Sequence, residues 1–357
     1  MCGSLARQGF EVRLVTGAAR PGEPPPSPAP PGVHLRQAPL RPGLAGVRAF
    51  ARLLEDSLSS ASILHDHGLW LPTNHAAARA ASKLSRPRVV SPRGMLSPWA
   101  LRHRRWKKWA AWRLYQRADL DTATVLHATS PAEAEEIRRA GRRQPIAIIP
   151  NGVAVPPLVQ RAGLGVTPRR ALFLSRLHPK KGLGHLLAAW AAVRPPDWEL
   201  IIAGPDEQGI GVGLARRAEE LGVTGSVTFR GAVEDEEKWA LYASAELFVL
   251  PTLSENYGLV VAEALASGLP VITTKAAPWP SLESHRCGWW IEVGVSPLIE
   301  ALGAATRSSP QTLAALGERG RALVQQELSW PQVAAQMAAV YSWLAGISPL
   351  PPQVQLG

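Results

Sequence analysis

The sequence predicts an α/β protein made of two doubly wound domains, each a parallel sheet between helices. Three observations predict it. Short apolar or β-branched runs alternate with longer amphipathic stretches along the whole chain, the pattern of βα units around parallel sheets. The alternation breaks at Pro150-Asn151-Gly152, where a strand meets strong turn residues and no clear element follows up to Pro168, and then it restarts. The length, 357 residues, suits two domains that each bury a core of their own.

Taken in order, the strands expected in the first half are Phe10–Thr16, Val33–Ala38, Ser62–Asp66, Arg88–Ser91, Ala123–Thr129 and Ile146–Ile149, with helices in the gaps. The proline-rich segment Pro21–Pro31 reads as an exposed loop. The second half supplies Ala171–Ser175, Glu199–Ala203, Ser226–Arg230, Leu247–Leu250 and Val271–Thr274. Two closing helices, about Pro310–Glu327 and Pro331–Leu344, have no strand after them and are expected to pack across the domain junction, with a frayed tail beyond Ile347. The expected domains are therefore 1–152, 153–328, and a crossover helix with tail over 329–357. Ser4–Gly9 reads as the end of a helix entering a strand, so the first domain lacks the strand and glycine-bearing turn that normally open such a fold.

Composition narrows the functional classes. The chain is 46% hydrophobic and 19% charged, ordinary for a packed protein and unlike a disordered or fibrous one. Cys2 and Cys287 lie far apart without metal-ligand spacing, so neither a disulfide framework nor a zinc site is indicated and a reducing cytoplasm fits. No apolar run spans a membrane and the amino end lacks signal-peptide regions, so neither spanning nor export is expected. The formal net charge is +11, densest over 102–117, where cations interleave with Trp106, Trp109, Trp112 and Tyr115. That mixture suits an anionic lipid interface at the inner face of the plasma membrane. The competing reading is a solvated helix whose tryptophans face the core. No nucleic-acid-reading motif accompanies the charge, and nucleic acid is not an expected partner.

Chemistry concentrates in 250–270, L-P-T-L-S-E-N-Y-G-L-V-V-A-E-A-L-A-S-G-L-P. An apolar strand turns into a helix from about Gly258, ended by Gly268 and Pro270. That helix opens at the carboxyl end of a strand, where α/β folds bind ligands, and its first N–H groups and dipole favour a diphosphate near Gly258 and Leu259. Glu263 lies within this apolar helix, where a carboxylate is costly unless something hydrogen-bonds to it. Helical side chains lean towards the amino end, so Glu263 is aimed at ribose hydroxyls and Glu255, just before the helix, at a transferred sugar. A solvent-facing glutamate and a capping residue are the bland alternative. The segment Ala171–Gly182 adds Arg176 at a strand end, then Lys180 and Lys181 in a turn. Two cations there neutralise a leaving diphosphate.

At these residues the chain resembles the retaining, GT-B-fold glycosyltransferases of family 4. The resemblance rests on the spacing of Arg176 and Lys181, A-G-P at Ala203–Pro205, F-R-G at Phe229–Gly231, the E-x7-E of Glu255 and Glu263, and I-P-N-G at Ile149–Gly152. It covers nearly the whole chain and implies two Rossmann-like domains facing a cleft. By resemblance, Arg176 and Lys181 bind the donor diphosphate and Glu263 the ribose. Glu255, with the backbone of Asn256, Tyr257, Gly258 and Leu259, holds the donor sugar and phosphates, and Arg230 and Gly231 border the base, with Gly204 of the A-G-P turn also on the donor side. It implies retention of anomeric configuration, a UDP- or GDP-linked donor as substrate, and no cofactor or bound metal. H-G-L-W at His67–Trp70 and S-P-R-G-M-L at Ser91–Leu96 resemble a subgroup associated with surface-polysaccharide and exopolysaccharide assembly, acting on a glycan or lipid-linked acceptor. His67 and Arg93 are its candidate cleft residues, although the commoner family pattern has a histidine near Arg93. The alternatives are a nucleotide-binding relic without turnover, or a phosphorylase-like enzyme or epimerase of shared architecture.

Overall fold

The computed structural model describes residues 1–18, 28–39, 43–102, 105–157 and 167–357. Most of the Pro21–Pro31 loop and of the stretch before Pro168 lies outside them. The chain divides into two compact units, one of residues 1–152 with 330–357, the other of 153–329.

In the first unit, β1 (Val12–Gly17) pairs in parallel with β2 (Val33–Ala38). A second sheet runs β3 (Leu64–His67), β4 (Arg88–Ser91), β5 (Val125–Ala128) and β6 (Ile146–Ile148), all parallel. β4 and β5 are buried at every residue, as expected of central parallel strands covered by helices on both faces. The helix Pro131–Arg139 starts where Ser130 accepts a hydrogen bond from the Glu133 amide and Pro131 takes the first helical position. The Glu133 carboxylate then accepts from Thr129 N (2.7 Å) and Thr129 Oγ1 (2.6 Å).

The second unit is one six-stranded parallel sheet, ordered β9-β8-β7-β10-β11-β12. Its strands are β7 (Arg169–Leu174), β8 (Trp198–Ala203), β9 (Val227–Gly231), β10 (Leu247–Leu250), β11 (Val271–Thr274) and β12 (Gly288–Ile291). Numbered within the unit this is the 3-2-1-4-5-6 doubly wound order, with its switch point between β7 and β10. Arg169 crosses from the start of β7 to Glu246 (2.7 Å) and lies over the Trp198 ring, tying the far ends of three strands together.

Two expectations need correction. β12 was not expected: Gly288-Trp289-Trp290-Ile291 is short and only half-buried, so its register on β11 comes from tertiary pairing more than from local pattern. The tail is not frayed. β13 (Val354–Gln355) pairs antiparallel with β6, and Ile148 N donates to Gln353 O at 2.9 Å. Val354 buries against Met337 and Val340 of the helix Trp330–Leu344, a gain that proline content alone does not reveal.

Candidate active site

Lys181 and Glu255 meet at the centre of the second unit's candidate site. β7 ends at Leu174, and Ser175–Lys181 leads through a short 3-10 turn at Pro179–Lys181 to the helix Leu183–Val193. β10 ends at Leu250, and Pro251–Gly258 leads to the helix Leu259–Ala266. The strands are neighbours at the switch point, so both loops emerge from one sheet edge. There Lys181 Nζ donates to Glu255 Oε2, both side chains largely buried. Two bonds to Lys180 O stitch the loops together, from Leu253 N (2.6 Å) and Thr252 Oγ1 (3.0 Å). A buried, close-held ion pair loses much solvation and persists only where geometry compensates.

Glu263 is held by partners that the local sequence pattern did not disclose. Lys238 Nζ donates to Oε1 at 3.1 Å and Tyr242 Oη donates to Oε2 at 3.0 Å, both from the helix Asp235–Ser244. Burial, and next the neighbouring carboxylate, hold the Tyr242 phenol well above its ordinary pKa, so it stays a donor. Each carboxylate oxygen keeps a second acceptor site. The signal was present as Lys238-x3-Tyr242, one helical turn apart, but nothing local ties that pair to Glu263.

The glycines define where backbone comes close. Gly258 caps the Leu259–Ala266 helix in the left-handed region (φ 80°), leaving Leu259 at the exposed first position. Gly204 (φ 140°) follows β8, its N–H donating to Gly231 O at 2.7 Å, and a Cβ there would lie 1.9 Å from Ser175 O, beside Arg176. The carboxyl ends of β7, β8 and β9 thus bring Arg176, Gly204 and Gly231 to one edge. Arg176 is exposed and 3.6 Å from Glu207, and Arg230 pairs with Glu237 at 2.7 Å. Exposed pairs of this kind are worth about 0–1 kcal/mol, so both cations can exchange partners for a ligand. The Tyr257 ring is core, packed on Trp279, so only backbone is offered at that position.

In the first unit, His67 and Arg93 are in contact. Arg93, held at φ 55°, donates from Nη2 to His67 Nδ1 at 3.2 Å and from Nη1 to Asn151 Oδ1. The His67 ring keeps solvent contact, yet burial and next the Arg93 charge depress its pKa to about 4. It is neutral, with Nδ1 accepting and Nε2–H free to donate. Behind it runs a chain that the sequence reading missed. His127 Nε2 donates to Ile149 O (2.8 Å), Ser91 Oγ donates to His127 Nδ1 (2.7 Å), and His65 Nε2 donates to Ser91 Oγ (2.7 Å). Tyr341 Oη then donates to His65 Nδ1 at 2.5 Å. The terminal carbonyl can only accept, so every proton in the chain is assigned, and His65 stacks on His67 at 4.3 Å.

Comparison with known proteins identifies both halves of the chain as glycosyltransferase domains. Residues 1–152 match the glycosyl transferase 4-like domain and 158–322 match glycosyl transferases group 1. An MMP alpha-(1->4)-mannosyltransferase of Mycolicibacterium hassiacum is 34% identical over 204 residues, 54% of this chain and 47% of that protein. A D-inositol 3-phosphate glycosyltransferase of Segniliparus rotundus is 31% identical over 212 residues, 56% of this chain and 47% of that protein. The chain thus spans about half the length of the curated relatives it matches. Among solved structures, sucrose-phosphate synthase from Thermosynechococcus elongatus superposes with a TM-score of 0.76 at 20% identity, covering 97% of this chain and 92% of that one. Anabaena HepE in complex with UDP-glucose gives 0.69 at 21% identity, covering 87% and 86%. Matched in each half by a glycosyltransferase domain and folded like these neighbours, the chain belongs to the family 4 glycosyltransferases of GT-B fold.

Proposed function

We propose that this protein is a retaining glycosyltransferase that moves a sugar from a UDP- or GDP-linked donor to a glycan or lipid-linked acceptor in polysaccharide assembly. The observation that carries the reading is the Lys181–Glu255 pair at the switch point, beside the amino end of the Leu259–Ala266 helix. A diphosphate at that end meets helix N–H groups, Lys181 and Arg176. Glu263, steadied by Lys238 and Tyr242, accepts from ribose hydroxyls. Glu255 orients the transferred sugar and Lys181 together. The bond from the anomeric carbon to the phosphate oxygen breaks, and the acceptor oxygen joins that carbon on the same face. The acceptor's proton passes to the departing phosphate oxygen. Arg176 and Lys181 offset the charge that develops there, so the chemistry calls for no metal. His67 Nε2–H is the first unit's donor towards substrate.

Thermal unfolding with UDP, GDP and ADP tests the nucleotide site. A ligand at 100 times its dissociation constant adds about 2.7 kcal/mol, which at about 2–4 °C per kcal/mol for a unit of this size raises the midpoint by roughly 5–10 °C. The expected result is a shift with UDP or GDP that Glu263→Ala abolishes. An equal shift in that variant, or none with any nucleotide, counts against the site.

The acceptor reading carries a membrane component. Trp106 and Trp109 are 72% and 61% exposed and Leu114 is 80% exposed, while Trp112 packs on Trp70. The core therefore takes only part of this aromatic set. Lys107 lies over Trp106 and Arg113 over Trp109, placing cations beside exposed apolar surface as an anionic interface requires. The protein is expected to sediment with phosphatidylglycerol vesicles at low salt, and the Trp106→Ala/Trp109→Ala double variant to stay in the supernatant. Equal sedimentation of the two would remove this face from the proposal.

A further inference from the structure

The loop that carries Glu255 is held from behind by its neighbour. β11 lies beside β10, so loop 275–280, which leaves β11, runs against loop 251–258, which leaves β10. Two hydrogen bonds join them. Glu255 N donates to Ala276 O at 3.1 Å, and Trp279 Nε1 donates to Tyr257 O at 2.5 Å. Residues 255–257 are therefore clamped at both ends. Loop 275–280 is in turn tied to β12, where Lys275 N donates to Ile291 O and Trp290 Nε1 donates to Ala277 O, each at 2.8 Å.

The Trp279 bond sets which way one peptide faces. An indole N–H can only donate, so the Tyr257–Gly258 peptide must turn its oxygen to Trp279, a core residue only 2% exposed. That peptide is trans, with C=O and N–H on opposite sides. Gly258 N–H is thus directed away from Trp279. The reversed peptide would set donor against donor and leave buried groups unpaired, which is costly. Gly258 does not impose the choice, because glycine takes positive and negative φ about equally well. Its φ of 80° is selected by what surrounds it.

Gly258 is buried, yet no described residue accepts from its N–H. A buried backbone donor without a partner is rare and points to a ligand. The residue sits between the indole and the side chain of Glu255: a Cβ there would lie 3.5 Å from Trp279 Nε1 and 3.3 Å from Glu255 Cγ.

We propose that Trp279 is a positioning residue for donor binding. Through the Tyr257 carbonyl it fixes the Tyr257–Gly258 peptide so that Gly258 N–H meets a phosphate oxygen of the donor. The inference rests on the donor site proposed above and adds the residue that aims its backbone.

Trp279→Phe keeps a ring and removes the N–H. By titration calorimetry its Kd for UDP or GDP, whichever the wild-type chain binds, is expected to rise about tenfold, the usual worth of a hydrogen bond to a charged group. Uridine and guanosine, which carry no phosphate, are expected to bind as they do to wild type. Trp290→Phe removes the same kind of bond from the same loop without touching the Tyr257 carbonyl, and is expected to leave the diphosphate affinity unchanged. The second measurement follows the Trp279 indole proton of the wild-type chain by NMR. A phosphate on Gly258 N–H polarises the shared peptide and strengthens the bond at its oxygen, so the diphosphate moves that proton downfield and the nucleosides do not. This measurement decides alone if Trp279→Phe does not unfold cooperatively. Equal weakening of nucleoside and diphosphate, equal weakening by Trp290→Phe, or an indole proton indifferent to the diphosphate overturns the proposal. Diphosphate binding that Trp279→Phe leaves intact overturns this inference alone, whereas a wild-type chain that binds neither diphosphate overturns the donor reading with it.

Discussion

Glu255→Ala is expected to lower sugar transfer by about 10²–10³-fold, the usual cost of removing one preorganised electrostatic group at a reacting centre. Nucleotide affinity should stay within a few-fold, because Glu263 and the helix end remain. The same change strips Lys181 of its partner. Truncating one side of a buried pair costs about 3–5 kcal/mol when the charge left behind cannot reach water, so part of the loss is structural. Glu255→Gln separates the two. Its amide oxygen still accepts from Lys181 Nζ and preserves the loop, while the negative charge is gone. Turnover lost in both variants, with the midpoint recovered in Glu255→Gln, is the outcome that fits a role at the sugar. Turnover fully retained by Glu255→Gln would reduce Glu255 to a structural counter-ion of Lys181.

How much of this was legible in sequence depends on range. β10 and β11 are read off to the residue, because Leu247–Leu250 is a continuous apolar run stopped by Pro251 and Val271–Thr274 is a β-branched run that starts just after Pro270. The loop–helix segments bearing Lys181 and Glu255 were legible for a related reason: strand, turn and helix follow within one short stretch. Their mutual contact, between residues 74 positions apart, follows from the sheet order, which the alternation of elements predicts. What was illegible rests on side chains meeting across elements with no local rule. Lys238 and Tyr242 reach Glu263 from another helix, and Tyr341 joins His65 from 276 positions away. β13 likewise depends on an open edge of β6 that becomes visible only once the sheet is formed.

Gly182→Ala is expected to be among the most damaging single-methyl changes in the second unit. Gly182 adopts φ 72°, ψ 23° between Lys181 and the Leu183–Val193 helix, a conformation that costs a non-glycine residue about 1–2 kcal/mol. Its added Cβ would also lie 1.9 Å from Pro251 O, the first residue of the loop that carries Glu255. Carbon and oxygen do not approach so closely, so the two loops must separate by roughly 1 Å or more, enough for a 10²-fold loss of activity. Strain and lost packing together place the destabilisation in the rare class above about 4 kcal/mol. Gly184→Ala supplies the opposite case two residues on. Nothing lies within 4 Å of its added Cβ, and the position is helical, so alanine should stabilise by about 0.5–1 kcal/mol. Urea unfolding and turnover measured on both variants distinguish the close approach of two loops from a general sensitivity of this turn. If both variants fall together, the Gly182–Pro251 contact is not what positions Lys181 against Glu255.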